Sequence, residues 1–186
     1  EKLERGYAFT IIAGGGATAR TYQEAAHHVH GSLSPEDLDW LGIHSTRLNG
    51  HLLRTIFRDE AYPVVVTNPD EVLDIPHDAR VIIAAGYRPG ASTDLRAVQI
   101  ARRLGATKLA NLSDIDYVYS ANPKSDPEAK PLERVSWSEF RALIPETWGP
   151  GLSTPFDPIA AKEAEEVGLE VAVMNGAHLE EFSNYV

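Results

Sequence analysis

Two glycine-bearing stretches of this sequence, each set between an apolar run and a helix signal, have the residue types of anion sites. In one, Gly86-Tyr87-Arg88-Pro89-Gly90-Ala91 follows the run Val81-Ile82-Ile83-Ala84-Ala85 and leads into Ser92, Thr93 and Asp94, all candidate helix caps. A strand that feeds a glycine-rich loop and then a helix offers an anion the free N–H groups of the first helical turn and the positive end of the helix dipole. In the other, Gly14-Gly15-Gly16 follows the run Tyr7–Ala13, and Arg20 stands one turn into the next helix, where it could meet a phosphate through two parallel bonds. Those residues read equally well as a tight strand-to-helix turn with a surface arginine, and spacing alone leaves both readings open. A second strand-like run, Thr107–Leu112, continues into a polar loop that ends at Asn122-Pro123-Lys124. Two loops of this kind side by side suggest two anionic ligands, the requirement of a phosphoryl-transfer enzyme.

Other motifs are weaker. Gly14 to Ala19 formally fits the dinucleotide fingerprint G-x-G-x-x-A, but the acids roughly twenty residues later, Asp37 and Asp39, fall in a helix start and not at a strand end, which argues against a dinucleotide cofactor. There is no GxxxxGK[ST], G-x-S-x-G, H-E-x-x-H or CxxC. His27, His28 and His30 have the look of metal ligands, and His27 and His30 share a helical face. An exposed polar helix end solvates such histidines without any metal, and no metal site is assigned. Asp157-Pro158-Ile159-Ala160-Ala161-Lys162 opens a helix with an acid at the N-cap, and Lys162 is either a solvated cation or a charge aimed into a cleft.

The elements that must position these residues alternate. Strands are expected over Tyr7–Ala13, Pro63–Thr67, Val81–Ala85, Thr107–Leu112 and Leu169–Met174. Helices are expected over Ala17–His30, from Ser34-Pro35-Glu36-Asp37 onward, over Leu95–Leu104, Ser136–Leu143 and Phe156–Val167, and at the last residues. The helix or helix pair after Ser34 carries Leu38, Leu41, Leu48, Leu52, Leu53 and Ile56 as its apolar stripe. Glu1 to Arg5 reads as a helix tail closed by Gly6, Asn68–Glu71 as a short helix start, Ser125–Pro131 as a polar connection and Gly149–Pro155 as a flexible bend. Alternation of this kind means an α/β fold, a mainly parallel sheet covered on both faces, in a single domain over 1–186.

Composition agrees. The 186 residues are 43% hydrophobic and 24% charged, and 17 basic against 27 acidic side chains leave a net charge of −10. That balance argues against a nucleic-acid polymer but not against a single nucleotide, which needs only a few local cations. Zero cysteines exclude disulfides and thiolate metal sites. No run is long enough to span a membrane, and the expected location is the cytoplasm.

The ordered set GGGATAR (14–20), DWLGIHSTRLNG (39–50), YPVVV (62–66), GYRPGASTD (86–94), SDIDYVYSANPKSDPEAK (113–130) and DPIAAK (157–162) resembles the amino acid kinase superfamily, and within it the archaeal type of uridylate kinase. Each piece alone is weak, but together and in order they are specific. The uridylate branch rests chiefly on Thr46, Arg47 and Asn49 and on the P-G-x-[ST]-T-D piece. The resemblance implies a three-layer αβα sandwich that transfers the γ-phosphoryl group of ATP to UMP, with Mg²⁺ bridging the ATP phosphates, in a homo-oligomer that is hexameric in the family. It implies that Gly15 and Arg20 hold UMP, that Asp39 accepts from the ribose hydroxyls, and that Gly86, Tyr87, Arg88, Pro89, Gly90, Ala91, Ser92 and Thr93 cover the acceptor phosphate. ATP would touch Gly16, Ser113, Asp116, Tyr119 and Asn122, and Lys162 would face the transferring group.

Departures from the pattern carry expectations of their own. Family members open with a strand and a G-G-S loop ahead of the first element read here and close with a segment bearing a Gly-Thr pair. The resemblance therefore implies a domain incomplete at both ends, binding UMP but slow to form UDP. Asp116 is followed by Tyr117 where the family has glycine, and Asn122 stands where uridylate kinases have aspartate. These features keep alternatives in view: a sister kinase acting on isopentenyl phosphate or acetylglutamate, or a catalytically silent nucleotide-binding or molybdenum/tungsten oxyanion-storage subunit.

Overall fold

A computed structural model of the chain describes residues 2–76, 78–123, 125–147 and 154–186. They fall into two compact units, Glu1–Leu104 and Gly105–Val186. The first is built on the parallel pair β1 (Phe9–Ile12) and β2 (Val81–Ala84), in register from Phe9↔Val81 to Ile12↔Ala84. All four residues of β2 are buried, as a strand covered on both faces requires. Alternation along β2 feeds two cores. Val81, Ile83 and Ala85 pack with Ala61 and Val65 and with Leu53 and Phe57, while Ile82 and Ala84 pack with Val66, Val72, Ile75 and Ile100.

Helix α1 (Gly16–His30) packs against α2 (Pro35–Ile56), and Leu53 of α2 covers one face of the strand pair. On the other face lie α3 (Thr93–Leu104) and a 3-10 helix, Pro69–Asp74. The first unit is thus itself helix, sheet, helix. The start of α2 follows its sequence: Ser34 caps the helix, Pro35 takes the first helical position, and the Asp37 carboxylate accepts from the Ser34 N–H and hydroxyl. That hydroxyl bond, then the backbone bond, lowers the Asp37 pKa below its ordinary value. The helix is one continuous rod, not a pair. Its expected apolar stripe divides: the buried face is Ile43, Ser45, Thr46 and Gly50, while Leu48, Leu52 and Ile56 are 60–64% exposed. Small residues let α2 approach the sheet closely, so the leucines turn outward.

The second unit holds a parallel pair, β3 (Lys108–Ser113) with β6 (Glu170–Asn175), and a short antiparallel pair, β4 (Val118–Tyr119) with β5 (Pro131–Leu132). Helices α4 (Trp137–Ala142) and α5 (Pro158–Val167) pack together around Trp137, Phe140 and the fully buried Phe156. The Trp137 indole N–H donates to the Leu169 carbonyl. Helix α6 (Leu179–Tyr185) places the Tyr185 hydroxyl on the Leu109 carbonyl, where burial, followed by the Glu170 charge, drives that phenol far above its ordinary pKa.

Several expectations are corrected. Within Pro63–Thr67 only Val66 makes an isolated parallel bridge to β2, with a second from Ala61 ahead of that stretch, because Pro63 brings no N–H and the chain bends at 63–64. The polar loop and connection around Ser125–Pro131 end in the β4–β5 pair. Helix α5 starts at Pro158, not Phe156, because Asp157 is the cap and Phe156 turns into the core. Residues 2–6 form turns where a helix tail was expected, with Glu1 outside the described residues, as are Lys124 and residues 149–153 of the expected bend. No helix among the described residues is long and apolar enough to cross a membrane.

Candidate functional site

The middle of α2 holds both glycine loops of the first unit. Asn49 donates from its amide to the carbonyls of Gly14 (2.7 Å) and Gly15 (3.2 Å). Thr46 passes a hydrogen bond through its hydroxyl, which accepts from the Gly86 N–H at 2.8 Å and donates to the Ile43 carbonyl at 2.6 Å. Arg47 forks onto two successive carbonyls of the second loop, Gly86 through Nε (3.1 Å) and Tyr87 through Nη2 (2.8 Å). Near the start of α2, the Asp39 carboxylate accepts from the Gly90 N–H at 3.0 Å. The fit is close at Gly86, where a Cβ would stand 2.9 Å from the Thr46 hydroxyl oxygen and 3.3 Å from the Ile43 Cα. Gly90 has φ +86°, a backbone state that favours glycine.

The loop also collects cations. The guanidinium of Arg88 lies 5.4 Å and that of Arg96 5.7 Å from the Tyr87 ring centre. Arg96 is buried and bonds the Gln99 side chain at 2.8 Å. Ser92 caps α3 by accepting from the Leu95 N–H at 3.1 Å, and Pro89, Ala91 and Thr93 are half-buried between these anchors. Gly15 is the N-cap of α1 and Gly16 its first residue, with φ +56°. Arg20 projects from α1 as an exposed side chain. An anion held here would face backbone N–H groups, a helix start and several guanidiniums within one compact unit.

Of the residues expected to meet ATP or the transferring group, Gly16 lies in the first unit, and Ser113, Asp116, Tyr119, Asn122 and Lys162 lie in the second. Ser113 ends β3 and donates to the neighbouring Asp114 carboxylate at 3.3 Å. Asp116 accepts from the Asn175 amide at 2.9 Å and lies 3.7 Å from His178. Tyr119 belongs to β4, and the Asn122 carbonyl accepts from the N–H groups of Ser125 (3.0 Å) and Asp126 (2.9 Å). Lys162 is exposed on α5. A cavity of about 570 Å³ in this unit, within the range of small-molecule sites, is lined by Asp116, Tyr117, Trp137, Phe156, Val171 and Val173 among others. Asp116 lines it, but Ser113, Tyr119, Asn122 and Lys162 do not.

At the end of α1, the ring nitrogens of His28 and His30 engage the carbonyls of Glu24 and Ser32, each at 2.8 Å. Among the described residues, no group of three or more His, Cys, Asp or Glu is arranged to hold a metal ion. The roles that sequence reading left unassigned are those of Thr46, Arg47 and Asn49. Their signal was three polar residues within four positions, next to Gly50, in a helix that otherwise carries an apolar stripe.

Braced glycine loops at helix starts, on an α/β unit with helices on both faces of its strands, define the class of phosphate-handling α/β proteins. The amino acid kinase family profile matches residues 1–175, and the chain belongs to that family. It is 34% identical over 181 residues to a uridylate kinase of Hyperthermus butylicus, covering 97% of this chain and 79% of the relative. A uridylate kinase of Methanospirillum hungatei is 36% identical over 167 residues, covering 89% of this chain and 70% of that protein. In structure, the chain superposes on the uridylate kinase of Archaeoglobus fulgidus with a TM-score of 0.80 and 29% identity, over 94% of this chain and 79% of the other.

Proposed function

We propose that this chain is a uridylate kinase, catalysing ATP + UMP → ADP + UDP. The observation that carries the acceptor's identity is the 34% identity to a uridylate kinase over 97% of the chain. The geometry of the first unit fits it, because UMP is an anion on a hydroxyl-bearing sugar. Arg20 and the Gly15 turn hold the UMP phosphate, and the loop from Gly86 to Thr93 covers it. Asp39, already fastened to Gly90, has its second carboxylate oxygen for the ribose hydroxyls.

In the transfer, an oxygen of the UMP phosphate attacks the γ-phosphorus in line as the bond to the β–γ bridging oxygen breaks and ADP leaves. Catalysis is then positioning plus charge neutralisation, supplied from this chain by Arg20 and Lys162. Gly16, Ser113, Asp116, Tyr119 and Asn122 are the proposed contacts of ATP. Mg²⁺ suits this chain only as a companion of ATP, held mainly by phosphate oxygens, since the described residues offer no carboxylate cage; there it would neutralise charge on the transferring group. A cytoplasmic setting goes with these substrates.

A coupled assay with ATP, Mg²⁺ and UMP, run beside AMP and GMP, tests the reading. UMP is expected to be phosphorylated and, at millimolar concentration, to raise the melting temperature well beyond AMP or GMP. Equal shifts from all three would remove the uridylate assignment.

A further inference from the structure

We propose that Arg47 is a positioning residue for the acceptor phosphate, acting through the backbone of the loop and not by touching the ligand. The inference rests on the uridylate reading only for the identity of that acceptor. Arg47 donates to the carbonyls of Gly86 and Tyr87 through two nitrogens of one rigid plane. In a trans peptide the C=O and the following N–H point in opposite directions, and the chain has no cis bonds. Fixing these carbonyls toward α2 therefore turns the N–H groups of Tyr87 and Arg88 the other way, away from Arg47. Neither N–H finds a hydrogen-bond partner among the described residues. A pair of successive, similarly directed N–H groups is an anion-binding concavity.

The rest of the anchorage keeps that pair in place. Thr46 holds the loop at the Gly86 N–H, Asp39 holds it at Gly90, and Pro89 between them has no N–H to compete. Arg47 makes no ion pair with a carboxylate among the described residues, so its charge adds to that of Arg88 and Arg96 around the loop. A lysine at position 47 would keep the charge and lose the fork, since an ammonium is a point donor without the planar geometry.

The experiment follows the amide signals of Tyr87 and Arg88 by NMR while the chain is titrated with inorganic phosphate and, separately, with UMP. It uses the unsubstituted protein, Arg47→Lys and Arg47→Ala, with acceptor and ATP KM values measured alongside. In the unsubstituted protein both amides are expected to shift and saturate. In Arg47→Lys they should do so with about tenfold weaker affinity, with a higher UMP KM, an unchanged ATP KM and an unchanged melting temperature. If Arg47→Ala does not fold, the lysine variant and the unsubstituted titration still decide.

Amides that stay fixed while UMP raises the melting temperature would overturn the role of Arg47 and leave the uridylate reading standing. Amides that respond to phosphate while UMP does not bind would overturn the uridylate reading and support the loop mechanism. An Arg47→Lys protein with unchanged affinity, or one that weakens ATP and UMP equally while melting earlier, would overturn the proposal, and silence toward both ligands would overturn both.

Discussion

The loop after β2 and the loop after β4 differ in what holds them. Gly86–Gly90 is fastened by Thr46, Arg47 and Asp39, side chains some forty to fifty residues away on a helix. The stretch after Tyr119 is fastened by its own neighbours. Ser125 and Asp126 donate to the Asn122 carbonyl, Glu128 to the Asp126 carboxylate and Lys130 to the Ser120 hydroxyl. Long-range anchors tie a loop's opening to its unit's core, whereas local turns open on their own. The acceptor loop is therefore expected to be preorganised before ligand arrives, and the loop of the second unit to exchange its amides sooner. Hydrogen exchange at Gly86 and Gly90 against Ser125 and Asp126 measures that difference directly.

The comparison breaks most severely in the core beneath the acceptor loop. Ile83 is fully buried, and Ile83→Ala is expected to cost about 2–5 kcal/mol. Exchange at Gly86 and Gly90 should rise with the loss of stability, because their anchors share that core. Urea unfolding of the variant gives the cost. A loss under 1 kcal/mol would mean that the two faces of β2 are less tightly packed than their burial indicates.

Next in size is the exposed cation. An arginine bonded to a phosphate contributes roughly 1.5–3 kcal/mol, so Arg20→Ala should weaken UMP binding about tenfold to a hundredfold. Its exposure predicts almost no change in the melting temperature. Unchanged UMP affinity by calorimetry would return Arg20 to a surface cation.

A pair of glycines sharpens the contrast. Gly86→Ala puts a methyl group 2.9 Å from the Thr46 hydroxyl and 3.3 Å from the backbone of α2, a fit that cannot relax without moving the helix or the loop. A cost of about 1–3 kcal/mol is expected. Gly176, after β6, would place its Cβ no nearer than 3.4 Å to Leu112, an ordinary contact, so Gly176→Ala should stay within about 0.5 kcal/mol. Equal costs in denaturant titrations would mean that the close approach at Gly86 is not special.

The same contrast governs what the sequence revealed. Local signals were legible: the apolar run of β2, the Ser34-Pro35 and Asp157-Pro158 helix starts, and the glycine loops themselves. Their physics is contained in a few consecutive residues. What stayed hidden depends on distant partners. Nothing in the spacing of α2 says that Thr46 and Gly50 face the sheet while Leu48, Leu52 and Ile56 face outward. The β4–β5 pair has two residues per strand, too few for alternation to register. Pro63 brings no N–H to a ladder, but Pro63–Thr67 was read as a strand on the three valines after it. The Thr46, Arg47 and Asn49 contacts needed the loop carbonyls to be placed before those residues had anything to bind.

The smallest expected effect is one the two units share. Asp37 opens α2 and Glu139 opens α4 through matching capping boxes with Ser34 and Ser136. In both, the serine hydroxyl bond, and then the backbone bond, lowers the carboxyl pKa below its ordinary 3.8 or 4.5. A folded pKa below the unfolded one means that the unfolded chain binds more protons in acid. The stabilisation is therefore complete above the ordinary values and is lost as pH falls through the lowered ones. Both groups are fully exposed, so the loss is screened and small. Asp37→Asn and Glu139→Gln should each flatten part of the decline in urea midpoint between about pH 5 and pH 2. Only α2 also carries the loop anchors, so the Asp37 variant asks whether a weakened helix start reaches them. Thr46 lies nine residues beyond Asp37, about 13 Å along the rod, and a cap's influence fades within the first turn. At neutral pH, the Gly86 amide should therefore exchange as slowly in Asp37→Asn as in the unsubstituted chain, despite the altered acid limb. Faster exchange there in Asp37→Asn alone would mean that the anchors at Thr46 and Arg47 depend on the whole helix and not on the core beneath them.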